Sequence, residues 1–263
     1  MSGTLIITRR ELTSLFYSPL GWILLTLALL LHGLVFSLMF GAIGGEVGQT
    51  FQAALGGNGY MFWALLLFLP PLLTMRLFAD EARSGTLEYL LTAPISDAAV
   101  VIGKFLAGTL FMAILWASTL LFALAFQIKG IDVDWAPLIG SYVGAVCVSG
   151  LFIAIGLTVS SLVDSPLIAA FMSFIACLAW LLGPEFGSRF LGWVASFIED
   201  PGRRETLLET GASVLGSINL IVHYTSSFAR GQVDTAEVVF FLTWPVFFVF
   251  LAIRALEMRR WRG

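Results

Sequence analysis

G-W-I-L-L-T-L-A-L-L-L-H-G-L-V-F-S-L-M-F, residues 21–40, runs without a single charged side chain. A helix of that length is about 30 Å long, the thickness of a bilayer's hydrocarbon core. It follows Arg9 and Arg10 and exceeds the 7–15 apolar residues of a cleavable signal, so it is expected to stay as a membrane span. Five further spans are read at 60–78, 98–126, 137–162, 166–183 and 238–256. The third is longer than a bilayer requires, and its start is expected to project into the cytoplasm.

Composition agrees. Hydrophobic residues make up 59% of the chain, charged residues 12%, and mean hydropathy is +0.94. Soluble domains carry about 25% charged residues. The expected fold is an all-α polytopic membrane protein of six transmembrane helices, forming one transmembrane domain over 1–263. The net charge of −3 is too small and scattered to suggest a nucleic-acid partner. Cys147 and Cys177 lie in apolar blocks and read as small core residues. With two histidines they provide no metal or disulfide framework.

Residues 1–18 read as an interfacial helix, with Leu5, Leu12, Leu15 and Phe16 opposite Arg9, Arg10 and Glu11. A disordered tail is the alternative. Placing both termini in the cytoplasm leaves nine Lys and Arg inside and five outside (Lys129, Arg189, Arg203, Arg204 and Arg230). The extracytoplasmic loop 184–237 carries two apolar clusters. One is Phe190, Leu191, Trp193, Val194 and Phe197; the other runs from Leu207 to Ile221. Both are expected as amphipathic helices at the outer leaflet, and a seventh span is the alternative for the second.

The stretch M-R-L-F-A-D-E-A-R-S-G-T-L-E-Y-L-L-T-A-P-I-S, residues 75–96, is the candidate mechanical element. Pro70 and Pro71 should kink the span before it. Asp80 to Gly85 reads as a polar turn, Thr86 as the cap of a short helix holding Glu88 and Leu91, and Pro94 as its stop. Such a coupling segment, 80–94, would transmit force from a cytoplasmic partner; an ordinary interfacial loop is the competing reading.

This segment resembles the signature of the type-2 permease class of ABC transporters, E-x-x-x-G-T-x-E-x-L-L-x-x-P-I followed by G-K. The matching positions are Glu81, Gly85, Thr86, Glu88, Leu90, Leu91, Pro94, Ile95, Gly103 and Lys104. H-Y-T-S-S-F-A-R-G-Q-V-D, residues 223–234, and R-R-W, 259–261, resemble the gliding-motility permease branch, with nitrous-oxide-reductase maturation permeases as relatives. The resemblance implies a bacterial inner-membrane transporter with two permease subunits and two ABC ATPase subunits. It also implies an accessory membrane-anchored protein in some members, with ATP and Mg held by the ATPase partner. Glu81, Arg83, Gly85, Thr86, Glu88, Leu91 and Pro94 would form the ATPase-coupling region. Gly103 and Lys104 would lie at the cytoplasmic start of the next membrane helix, and His223, Phe228 and Gly231 belong to the extracytoplasmic motif.

The chain has no G-x-x-x-x-G-K-[ST] phosphate loop. Lys104, Arg76 and Arg254 sit near span ends, where they are expected to snorkel to water. The lack of mid-membrane charge argues against ion-coupled transport. Gly140 and Gly144 form a G-x-x-x-G expected to pack helices, within a subunit or between two. His32 should bond a neighbouring helix, and His223 should fix the outer loop. An intramembrane enzyme would need a nucleophile–base pair or paired acids that cannot be read here. An ABC-type force or signal relay without transport is the third reading.

Overall fold

The computed structural model describes residues 3–42, 44–55, 59–86, 95–232 and 234–262, with the backbone alone for Leu20 and residues 260–262. Among these residues the regular structure is helical throughout, and six helices are long and apolar enough to cross a membrane. The protein is an all-α polytopic membrane protein.

In chain order the helices are α1 (Gly3–Tyr17), α2 (Pro19–Ala42), α3 (Val47–Ala54), α4 (Tyr60–Thr74) and α5 (Ala79–Ser84). They continue with α6 (Asp97–Ile128), α7 (Trp135–Leu162), α8 (Pro166–Ala195), α9 (Pro201–Ser217) and α10 (Leu220–Ser226). A 3-10 turn at Phe228–Arg230 leads into α11 (Thr235–Arg262). The starts are written in short polar side chains. Ser96, Asp134, Asp200 and Asn219 each accept a hydrogen bond from a backbone N–H in the first turn of the helix that follows. Pro166 and Pro201 begin their helices, where a missing N–H costs nothing.

Helix α7 is the central staff. Its most apolar stretch is 78% buried, against 22% for α2, α8 and α11, which therefore form the rim. Trp22 and Leu30 on α2, Phe171 on α8 and Val246 on α11 stay exposed, as a bilayer-facing surface should. Polar contacts join the interior helices: Trp116 Nε1 donates to Ser149 Oγ at 2.9 Å, and Tyr142 OH donates to the Ala113 carbonyl at 3.2 Å. His32 Nε2 lies 2.9 Å from Thr119 Oγ1, the neighbouring-helix partner anticipated for it. Where α7 crosses α4, a methyl group on Gly156 would come within 2.2 Å of Thr74 Oγ1, so only glycine permits that approach.

The bundle has two ends. One gathers α1, α5, the start of α6 and the close of α11, and is called basal here. The other gathers α3, α9, α10 and the 3-10 turn, and is called apical.

Several expectations need correction. The fifth span does not stop at Gly183: α8 runs unbroken through Pro184 to Ala195, so its first apolar cluster extends a span rather than starting a separate helix. Phe186, Phe190, Trp193 and Phe197, spaced by three or four, continue the exposed stripe of the span below. The second cluster is divided by Asn219 into α9, which buries no residue, and α10. Residues 79–84 form a helical turn rather than a polar bend. Helix α3, which the sequence reading passed over, fills the connection after the first span. On α1 the most buried side chains are Ile7, Thr8 and Glu11, while Leu5 is 54% exposed. Glu11 faces inward because a cation waits for it there.

Candidate functional site

The basal end is built on that cation. Lys104, about two turns into α6, has a fully buried side chain. Its Nζ donates to Glu11 Oε1 at 3.2 Å and lies 3.0 Å from Glu81 Oε2. The ammonium also stands 5.1 Å from the centre of the Phe78 ring. Arg10 Nη2 closes the ring of charge, 3.1 Å from Glu11 Oε1 and 2.9 Å from Glu81 Oε1. Two cations and two carboxylates thus join α1, α5 and α6. Lys104 does not snorkel, contrary to the sequence reading, because α1 and α5 fold over it and bring carboxylates to it. A buried ammonium is tolerable only with such partners.

The geometry of α5 is fixed from a second side. The N–H groups of Phe78 and Ala79, at the start of the helix, both donate to Ser160 Oγ of α7, at 3.3 and 3.1 Å. The helix then ends on Gly85, whose φ of +72° is the left-handed conformation that favours glycine. Thr86 Oγ1 donates to the Glu81 carbonyl at 3.3 Å and shares a 2.8 Å hydrogen bond with Ser84 Oγ. Arg83 is exposed in the last turn. Glu88, Leu91 and Pro94, with Leu90, fall outside the described residues.

Gly103 serves the same junction through its lack of a side chain. A methyl group there would come within 2.7 Å of Ile7 Cγ2, so α1 lies directly on the start of α6. Gly103 and Lys104 are therefore neighbours with different tasks, one admitting α1 and the other bonding it.

At the apical end the structure unites two sets of residues that the sequence left apart. Gly140 and Gly144 of α7 do not face another span. They receive the 3-10 turn: a methyl on Gly140 would lie 2.6 Å from the Phe228 carbonyl oxygen and 2.8 Å from Gly231 Cα. Gly231 itself adopts φ +73° and lies against the start of α7, where a methyl group would come within 2.7 Å of the Ala136 carbonyl carbon. Tyr224, wholly buried, stands within hydrogen-bonding reach of the Leu55 carbonyl after α3 and of the Ser141 carbonyl of α7, the latter at 3.1 Å. Burial pushes its hydroxyl pKa upward, so it remains a donor. His223 Nδ1 lies 2.6 Å from Glu237 Oε2 on α11, its Nε2 lies 3.1 Å from the Ser217 carbonyl, and its ring stacks on Phe240 at 4.1 Å.

Glu11, Ser160 and Tyr224 were not singled out from the sequence. For Glu11 a signal existed, a lone acid beside two arginines on an otherwise apolar helix. Tyr224 lies inside the 223–234 motif, which marked the stretch but not this side chain, and for Ser160 nothing local distinguishes it from its neighbours. Among the described residues no group of three or more His, Cys, Asp or Glu is placed to hold a metal ion.

The family model described as "ABC-2 family transporter protein" matches residues 5–261. No curated protein matches the chain.

Proposed function

The chain belongs to the ABC-2 family of transporter proteins, which makes it a membrane permease component of an ABC system, and we propose that ATP hydrolysis by a separate ATPase subunit drives it through α5 and the segment that follows. The observation that carries this reading is the double anchoring of α5. Glu81 ties it to α1 and α6, and Ser160 ties it to α7. A push on the Gly85–Thr86 corner therefore reaches three other helices rather than dissipating in a loop. The family association with an ABC ATPase supplies the partner; ATP and Mg would be bound there.

In this reading the basal end faces the cytoplasm of a bacterium, both termini lie inside, and a second permease copy or paralogue completes the pathway. The motif at 223–234 and the tail 259–261 resemble the gliding-motility branch, which would add a membrane-anchored accessory protein. Affinity purification from native membranes tests the proposal. An ABC ATPase should copurify, a Ser84→Cys variant should cross-link to it, and the isolated chain should hydrolyse no ATP. Labelling of that cysteine from the exterior alone, or transport that survives loss of every copurifying ATPase, would overturn it.

A further inference from the structure

Between α1, the start of α2, the end of α4 and α5 lies a cleft of about 190 Å³ at the basal membrane boundary. That is well below the roughly 300 Å³ at which drug-sized ligand pockets begin, so it suits a small group rather than a whole amphiphile. Its floor is apolar, with Leu24 and Leu73 at the mouths of two spans. Its walls are charged, and the charges divide cleanly. Glu11 and Glu81 are matched by Lys104 and Arg10 in the network described above. Two ions remain. Arg76 contacts the Ser18 hydroxyl at 3.2 Å and has no carboxylate partner among the described residues. Asp80, exposed, makes no hydrogen bond or ion pair among them. The two are not paired with each other, so the cleft presents one separated positive pole and one negative pole over an apolar floor.

We propose that this cleft binds the headgroup of a zwitterionic phospholipid carrying a primary amine, its phosphate on Arg76 and Ser18 and its ammonium on Asp80. The chemistry selects among lipids. A phosphate without an attached cation leaves Asp80 repelling an anion. A quaternary ammonium meets Asp80 but offers no N–H to it. Only a primary ammonium supplies both the charge and the hydrogen bonds, and charge-assisted bonds are the strong ones. The acyl chains would leave along the exposed face of α2, where Ile23 and Leu27 stand open to the surroundings.

The test is competitive retention by the purified full chain, read by native mass spectrometry. The probes are phosphatidylethanolamine, phosphatidylcholine and phosphatidylglycerol with identical acyl chains, supplied in equal amounts. The wild-type chain should retain phosphatidylethanolamine about tenfold over either competitor, the value of one charge-assisted hydrogen bond. Asp80→Asn should abolish that preference and favour phosphatidylglycerol, while Arg76→Gln should weaken retention of all three. Equal retention of the three lipids by the wild-type chain overturns the proposal without recourse to any variant. An unchanged order in a helical, monodisperse Asp80→Asn protein overturns the assignment of the ammonium.

Discussion

Gly144 of α7 and Phe228 of the 3-10 turn touch so closely that a methyl group on the glycine would lie 2.6 Å from Phe228 Cβ. Four residues earlier Gly140 meets the backbone of the same turn. This small-residue seam, of a kind that usually joins spans, here seats an apical segment eighty-odd positions away in the chain.

Adding volume to that seam should unseat the turn. Gly144→Ala is expected to cost about 1–3 kcal/mol, the usual penalty of overpacking a filled interior. Gly140→Ala should cost at least as much, since its obstacle is backbone. Gly150→Ala, whose nearest foreign atoms lie at an ordinary 3.7 Å, should be neutral. Equilibrium unfolding of the three variants in detergent measures the order. Equal effects at Gly144 and Gly150 would show that the seam is loose.

Lys104 gives a sharper contrast between loss and replacement. Lys104→Met removes the cation but leaves Glu11 and Glu81, whose side chains are only 10% and 16% exposed. Breaking a buried pair in that way costs about 3–5 kcal/mol. Combining it with Glu11→Gln should restore part of the loss, because fewer charges are then stranded. A double-mutant cycle on unfolding free energy checks this; additive losses would mean that the two side chains do not interact.

What the sequence could reveal here follows from the range of each signal. A run such as 21–40 announces itself because lipid imposes a length and a composition on consecutive residues. The continuation of α8 past Gly183-Pro184-Glu185 was hidden by those same local cues: the proline and the charge read as a boundary, although the stripe Phe186, Phe190, Trp193 kept helical spacing across it. Helix α3 left a trace in Val47, Phe51 and Ala54, all buried, but eight residues are too few to stand out. The environment of Lys104 could not be read at all. Its partners lie 93 and 23 positions away, and a lysine near a span end looks the same whether it reaches water or is enclosed. The candidate site shows the same division. Gly85, Thr86 and Glu81 were legible as a pattern, whereas Ser160, which holds their helix, is one serine among many.

Gly85 should matter through its backbone. Its φ of +72° disfavours any residue with a side chain, yet among the described residues no atom stands within 4 Å of where that side chain would go. Gly85→Val should therefore strain the corner by about 1–2 kcal/mol, whereas Gly85→Asn, which tolerates this conformation, should be milder. In the assembled transporter the valine variant should insert normally and lose transport, with the asparagine variant intermediate. Full transport by the valine variant would separate this corner from coupling.

His223 offers a prediction confined to the apical end. Both ring nitrogens face acceptor oxygens, Glu237 on α11 and the Ser217 carbonyl at the close of α9. The ring therefore joins three helices that otherwise share few polar contacts. His223→Leu removes both hydrogen bonds and strands the Glu237 carboxylate, which is only 14% exposed. The expected cost is about 1.5–3 kcal/mol, the range for hydrogen bonds to charged groups. Its signature should be local. Amide hydrogen exchange should accelerate across 217–226 and the first turn of α11, while the buried middle of α7 keeps its protection. Glu237→Gln should produce a smaller version of the same pattern, since an amide can still accept from Nδ1. Acceleration spread evenly over the spans would instead make His223 a determinant of the whole bundle, and uniform protection in both variants would remove it from the apical joint.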